Sequence, residues 1–177
     1  LAASAQSVAK WIWDAKGDRP NTPLYFSKTV DLGKAPQTAR ITFTCDNKSE
    51  VFVNGKSVDK SSDWNSPISK DVKKLLKSGS NVITAVARNA GGPAGFVLQL
   101  EVTLDGGKKL IVVTDDSWKF VSKDPTLLFD EPADWKTKGL AVGKKPVVVG
   151  KMGDGPWGNV FGGESGNRRP SGITNNT

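Results

Sequence analysis

The sequence contains no histidine and a single cysteine, Cys45. Without histidine the chain lacks the most usual general base and the commonest metal ligand. Serine–histidine, cysteine–histidine and zinc–histidine chemistries are therefore excluded. One cysteine cannot form an internal disulfide, and Cys45 falls on the inward side of a predicted strand, where a small thiol commonly serves as packing.

Long hydrophobic runs are also missing. No stretch of about 18 consecutive apolar residues occurs, so we predict no membrane span. The opening residues include Ala3-Ser4-Ala5, which fits the A-x-A pattern of a signal-peptide cleavage site. We interpret residues 1–9 as a signal remnant or an alanine-rich disordered lead-in. The first interpretation would make the chain secreted, either extracellular or periplasmic.

The net charge of +7 raises the question of a nucleic-acid partner. The lysines, however, are scattered beside predicted turns, and lysine at strand ends and edges discourages unwanted pairing. Neither a basic helix nor an RNA-binding aromatic motif accompanies the charge. The sequence therefore predicts a solvated basic surface and no nucleic-acid partner.

Residues 40–58 carry the clearest β pattern. Ile41, Phe43 and Cys45 alternate with threonines, and this period of two indicates a strand with one buried face. A polar Asp-Asn-Lys loop follows, and a second apolar strand runs into Asn54-Gly55. That dipeptide tolerates the positive φ angles of a two-residue type I′ hairpin turn. The window predicts antiparallel β structure.

The same reading predicts short strands along most of the chain and one helix, over residues 70–77. Crossover helices are lacking, which excludes a parallel α/β sheet. We predict an all-β fold, an antiparallel jelly-roll β-sandwich with one short helix. The other predicted strands are residues 10–13, 24–30, 81–89, 96–104, 109–113 and 118–121.

Beyond residue 125 the pattern becomes irregular, with one further strand at residues 146–149 and glycine-proline turns around Trp157. We interpret this region as an extended C-terminal arm that packs along the sandwich and closes one edge strand. The predicted β-sandwich domain, arm included, therefore covers residues 10–160. Residues 161–177 are predicted to be a flexible tail or a linker to another domain.

Five motifs stand out along the chain: Trp11-Ile12-Trp13, residues 50–56, residues 71–72 with 75–81, residues 89–95 and residues 114–119. Together they resemble the galactose-binding-like, sugar-binding β-sandwich domain of family 2 glycoside hydrolases and bacterial α-L-rhamnosidases. The resemblance covers residues 10–121 and is strongest to a version attached to large secreted bacterial proteins. It implies a non-catalytic carbohydrate-binding accessory module whose partners are a polysaccharide or glycan and the adjoining domains.

A sugar site needs hydrogen-bonding side chains beside an aromatic ring, on loops held by a rigid frame. We predict that Trp64 stacks on a sugar ring. The alternatives are that Trp64 is a lid over the end of the sandwich and that the Asp-Asn pair at 46–47 only makes a turn. The other five tryptophans are assigned to packing. The predicted hydrogen-bonding residues are Asp46, Asn47, Lys48, Asp63 and Asn89.

Catalysis is not predicted. Asp115 and Asp116 are adjacent, and neighbouring strand residues point to opposite faces, which does not place two carboxylates across one glycosidic bond. No cofactor is predicted either. Calcium, clamping a loop through carboxylate and carbonyl oxygens, is the one metal considered, although the chain has no Asp-x-Asp-x-Asp-Gly loop. The rival interpretation is a structural or protein-interaction sandwich that binds no glycan.

Overall fold

The computed structural model describes residues 8–17, 20–122 and 131–162. Within them, eleven strands and one short α-helix follow one another along the chain. Residues 1–7 of the predicted lead-in and 163–177 of the predicted tail lie outside the described residues. The elements are β1 (Lys10–Trp13), β2 (Leu24–Asp31), β3 (Pro36–Asp46), β4 (Lys48–Val53), β5 (Lys56–Ser61), β6 (Ile68–Asp71), β7 (Ser80–Arg88), β8 (Gly95–Leu104), β9 (Lys109–Val113), β10 (Lys119–Ser122), α1 (Trp135–Lys138) and β11 (Val147–Lys151).

The strands form two antiparallel sheets, which confirms the predicted β-sandwich. The six-stranded sheet has the order β11-β1-β8-β3-β6, with β9 also paired to β8, and the five-stranded sheet has the order β10-β2-β7-β4-β5. Strands β3 and β4 therefore lie in different sheets, joined only by Asn47. The predicted hairpin links β4 to β5, and both of its central residues have positive φ: 49° at Asn54 and 84° at Gly55.

The main core lies between the two sheets. Alternate residues of β8 face it, including Phe96, Leu98 and Leu100, and they meet inward residues of β3 such as Phe43. Burying a side chain of this size contributes about 1.5–3 kcal/mol. All five tryptophans assigned to packing are at most 7% exposed, which confirms that assignment.

The predicted helix over residues 70–77 is wrong. Strand β6 pairs with the free edge of β3 instead, with Ile68 opposite Phe43 and Asp71 opposite Arg40. A single 3₁₀ turn, Lys73–Leu75, follows it. An isolated helix of two turns is only marginally stable in water. Pairing of residues 68–71 with the edge of β3 is therefore favoured over helix formation. The short helix of the fold is α1, in the C-terminal arm.

The C-terminal arm closes the six-stranded sheet as predicted, since β11 pairs antiparallel with β1. Helix α1 lies on the outer face of the five-stranded sheet, where Trp135 makes edge contacts with Tyr25 and Phe52 at ring-centroid distances of 4.9 and 5.8 Å. Across the described residues, no helix has both the length and the apolar character needed to cross a bilayer.

Candidate functional site

The upper end of the sandwich is the end where β3 stops at Asp46 and β8 begins at Gly95; these two residues are opposite each other in the sheet. Asn47 fixes this end. Its backbone N–H donates to the Arg88 carbonyl at 3.1 Å, and its side-chain Oδ1 accepts from the Ala90 N–H at 2.7 Å. The connection between the two sheets is therefore tied to the loop that follows β7.

Asn89 organises that loop from within. Its side chain is fully buried, and Nδ2 donates to the Gly92 carbonyl at 3.0 Å. The Asn89 carbonyl accepts from the Asn21 N–H at 2.7 Å. Gly92 has a φ of 73°, a conformation that favours glycine. These bonds hold residues 90–93 as an exposed loop beside Asn47.

Asp46 lies at the same end, and the residue as a whole is only 7% exposed. Oδ2 accepts a hydrogen bond from the indole Nε1–H of Trp157 at 3.0 Å. Oδ1 makes no hydrogen bond with the described residues, and it is not completely buried. One carboxylate oxygen is therefore held inside the protein, and the other keeps some contact with solvent.

Trp157 belongs to a small apolar cluster on the outer face of the six-stranded sheet, which we call the outer cluster: Ala9, Trp11, Val97, Val113 and Trp157. The two indoles stack with centroids 4.2 Å apart and planes 18° apart. Met152, Phe161 and Trp64 pack against the cluster. Trp64 thus borders the surface that carries Asp46.

Trp64 is the one tryptophan of the six that is not buried; it is half-buried. Its loop is held rigidly, because the buried hydroxyl of Thr44 donates to the Asp63 carbonyl at 3.0 Å. The Asp63 carboxylate accepts from the Asn65 N–H at 2.9 Å and from the Ser66 hydroxyl at 3.0 Å. Asp63 therefore shapes the turn that presents the indole.

The structure brings Asp46, Asn47 and Asn89 together at the upper end, and Trp64 packs against the outer cluster, whose Trp157 bonds to Asp46. Exposed Lys48 follows Asn47 directly as the first residue of β4. Sequence reasoning missed the role of Trp157, which lies 111 residues from Asp46. No local pattern signals that contact.

The electrostatics of this end are simple. Burial, and next the neighbouring Asp46 carboxylate, raise the pKa of the Cys45 thiol well above its ordinary value, so the thiol stays neutral. Among residues 8–17, 20–122 and 131–162, no three side chains of aspartate, glutamate or cysteine group together in a way that could hold a metal ion.

Two facing antiparallel sheets, with polar loops gathered at one end, define a β-sandwich of the galactose-binding-like kind. The chain is 34% identical over 163 residues to an alpha-L-rhamnosidase of Streptomyces avermitilis, a match that covers 86% of this chain and 15% of that protein. The predicted resemblance to bacterial α-L-rhamnosidases is therefore confirmed. No protein-family model matches the chain.

Solved structures also show similarity to an alpha-L-rhamnosidase, and to a lectin. The Streptomyces avermitilis alpha-L-rhamnosidase complexed with L-rhamnose superposes with a TM-score of 0.76 at 28% identity, over 86% of this chain and 15% of that one. A lectin from Pleurotus ostreatus superposes with a TM-score of 0.75 at 26% identity, over 86% of this chain and 44% of the lectin. The chain thus spans about one seventh of the rhamnosidase it matches.

Proposed function

We propose that the chain is a non-catalytic carbohydrate-binding module of a larger secreted protein, with its site at the upper end of the sandwich. The observation that supports the proposal is the Asp46 carboxylate beside the Asn47 amide at this end, with half-buried Trp64 packed against the outer cluster that contains the hydrogen-bond partner of Asp46. The likeness to a lectin, and to a short segment of a rhamnosidase, supports a binding role. The proposed location follows from the resemblance to a domain of large secreted bacterial proteins.

The hydrogen bonds inside the protein suggest which atoms contact the sugar. Oδ1 of Asp46 accepts from a ring hydroxyl, because Oδ2 is occupied by Trp157. Nδ2 of Asn47 donates, because its Oδ1 is occupied by Ala90. Trp64 stacks on the apolar face of the ring, and Lys48 reaches a hydroxyl at the rim. Asn89 and Asp63 support these residues by shaping their loops.

The neighbouring aspartates Asp115 and Asp116 lie in the connection between β9 and β10, and both are already engaged, which supports a non-catalytic role. Asp115 accepts from the Ser117 N–H at 2.8 Å, and Asp116 forms an ion pair with Lys145 at 3.1 Å. Glycoside hydrolysis needs two carboxyl groups about 5–9.5 Å apart across the scissile bond. These two serve a turn and a surface ion pair instead.

Glycan-array screening followed by calorimetric titration tests the proposal. Glycans that contain L-rhamnose and N-acetylgalactosamine are the first probes, because similar proteins were solved with those sugars. Trp64→Ala is expected to weaken binding about tenfold, since 1.4 kcal/mol of lost ring contact corresponds to that factor. Val142→Ala is the matched control, an apolar truncation at a residue 79% exposed. Wild-type silence across plant, algal and microbial glycans would refute the proposal.

The titration should be run with calcium and with EDTA. Calcium takes six to eight oxygen ligands, including backbone and asparagine carbonyls. Oδ1 of Asp46 and the carbonyls of residues 89–95 are ligands of that kind at the upper end. Binding that depends on calcium would add the ion to the proposed site, and equal affinity in EDTA would leave a calcium-free site.

A docking module is the second candidate function, and it rests on β11. Val147 and Val149 are each 40% exposed on this outermost strand, whose second edge has no partner among the described strands. Such an edge can pair with an adjoining domain. Protection of this edge from hydrogen exchange in the longer protein, combined with glycan silence, would favour docking over sugar binding.

A further inference from the structure

We infer that Trp157 is a positioning residue for the sugar site: the C-terminal arm holds the Asp46 carboxylate so that Oδ1 alone is left for the ligand. This inference rests on the proposed function. A carboxylate can rotate about its terminal bond and offer either oxygen. The Trp157 Nε1–H···Oδ2 bond at 3.0 Å removes that freedom. Hydrogen bonds to ionised acceptors are the strong ones, so a single bond suffices to fix the group.

Gly95 makes room for this contact. A Cβ atom at Gly95 would lie 2.7 Å from Cε3 of Trp11 and 3.0 Å from Cη2 of Trp157. The two stacked indoles therefore occupy the space over the residue that pairs with Asp46. A side chain at this position would displace the ring whose N–H holds the carboxylate.

The end of the C-terminal arm buries one aromatic ring, that of Trp157. Trp157 is the single buried residue among residues 151–162. The tight turn that presents it is closed by hydrogen bonds from Gly158 N–H to the Asp154 carbonyl at 2.8 Å and from Lys151 N–H to the Asp154 carboxylate at 3.2 Å. Strand β11, directly before the turn, places Gly150 opposite Trp11. The same strand pairing thus aligns both indoles.

The result is an acceptor and a donor on consecutive residues. Oδ1 of Asp46 accepts and Nδ2 of Asn47 donates, and each is selected because the other atom of its group is bonded inside the protein. Two neighbouring hydroxyls of a pyranose, a vicinal diol, can supply the matching donor and acceptor, because each hydroxyl can do either. A sugar whose two hydroxyls are methylated should not bind.

Trp157→Phe tests the inference, because phenylalanine keeps a ring against Trp11 and removes the N–H. Glycan affinity is expected to fall about tenfold, in the range for losing a hydrogen bond to a charged group. Trp118→Phe is the matched control: it removes an indole N–H that donates to the Val113 carbonyl at 2.9 Å in the main core. This control should lower the melting temperature and leave affinity unchanged.

The decisive measurement repeats Trp157→Phe in an Asp46→Ala background. If Trp157 acts through Asp46, the second substitution should change affinity less than twofold there, whereas a general loss of rigidity would persist. A Trp157→Phe protein that binds like wild type, or an undiminished loss in the Asp46→Ala background, overturns the inference and leaves the proposed function standing. Wild-type silence overturns both.

A further readout needs no substitution. The indole ¹H–¹⁵N resonance of Trp157 in the wild-type protein should shift on addition of the glycan, because its acceptor carboxylate then takes a second partner. A resonance that stays in place while the backbone amides of residues 47 and 90 shift would contradict the positioning role.

Discussion

Gly95→Ala is expected to destabilise the protein although alanine is normally the better strand residue. Replacing glycine by alanine reduces the entropy of the unfolded chain, which favours folding by about 0.4–1 kcal/mol. Against this, the new methyl group would lie 2.7 Å from one indole and 3.0 Å from another. Overpacking of this kind costs about 1–3 kcal/mol. The steric cost should exceed the entropic gain, because both rings are buried in the Trp11–Trp157 stack and cannot swing away.

We therefore expect Gly95→Ala to lose about 1–2 kcal/mol of unfolding free energy, the difference between the two effects. Urea unfolding followed by circular dichroism measures this value. Gly155→Ala is the matched control, since nothing lies within 4 Å of its new Cβ and its φ is not in the left-handed region. The control should be neutral or slightly stabilised. A Gly95→Ala protein as stable as this control would show that the two indoles move aside at little cost. Trp157 would then not be held firmly enough to fix the Asp46 carboxylate.

Three further predictions concern other parts of the fold. Asn81→Ala should destabilise the protein by about 2–4 kcal/mol, because the fully buried amide makes four hydrogen bonds whose partners alanine would leave unsatisfied. Exposed Asn65→Ala is the control, and equal urea midpoints for the two variants would contradict the expectation. Thr44→Val should weaken glycan binding several-fold and lower stability by about 1 kcal/mol, since it removes the 3.0 Å hydrogen bond from the Thr44 hydroxyl to the Asp63 carbonyl and so frees the Trp64 loop. Unchanged affinity in calorimetry would argue against a role for that loop. Cys45 should resist thiol reagents in the native protein at pH 8 and react only on unfolding, because burial raises the pKa of its thiol; fast native labelling would show that this end of the core opens.

Much of the fold could be predicted from the sequence because its strands carry strong local signals. The period of two in β8 and the Asn54-Gly55 turn are each contained within a few residues. The aromatic segment Trp11-Ile12-Trp13 likewise indicates β1 without reference to the strands that pair with it. Patterns of this kind depend on a buried face, which the sequence displays directly.

The rest depends on contacts between distant residues. Strand β6 forms because the edge of β3 is available to it, which the sequence of residues 68–71 does not show. Asp46 and Asn47 were predicted as sugar contacts or as turn residues; the structure gives each an internal partner as well. The choice between the two oxygens of Asp46 depends on Trp157, and only the folded chain brings that indole to the carboxylate.

The pairing of β1 with β11 has a consequence for biosynthesis. Trp13 is opposite Val147 in that pair, so the first strand of the sheet acquires this neighbour only after nearly all of the domain has left the ribosome. Contacts between such distant segments form slowly, and until they form the unpaired strand edge can associate with other chains. Nascent chains that end before Trp157 lack the indole that stacks on Trp11, and they are expected to recruit chaperones until that residue has emerged.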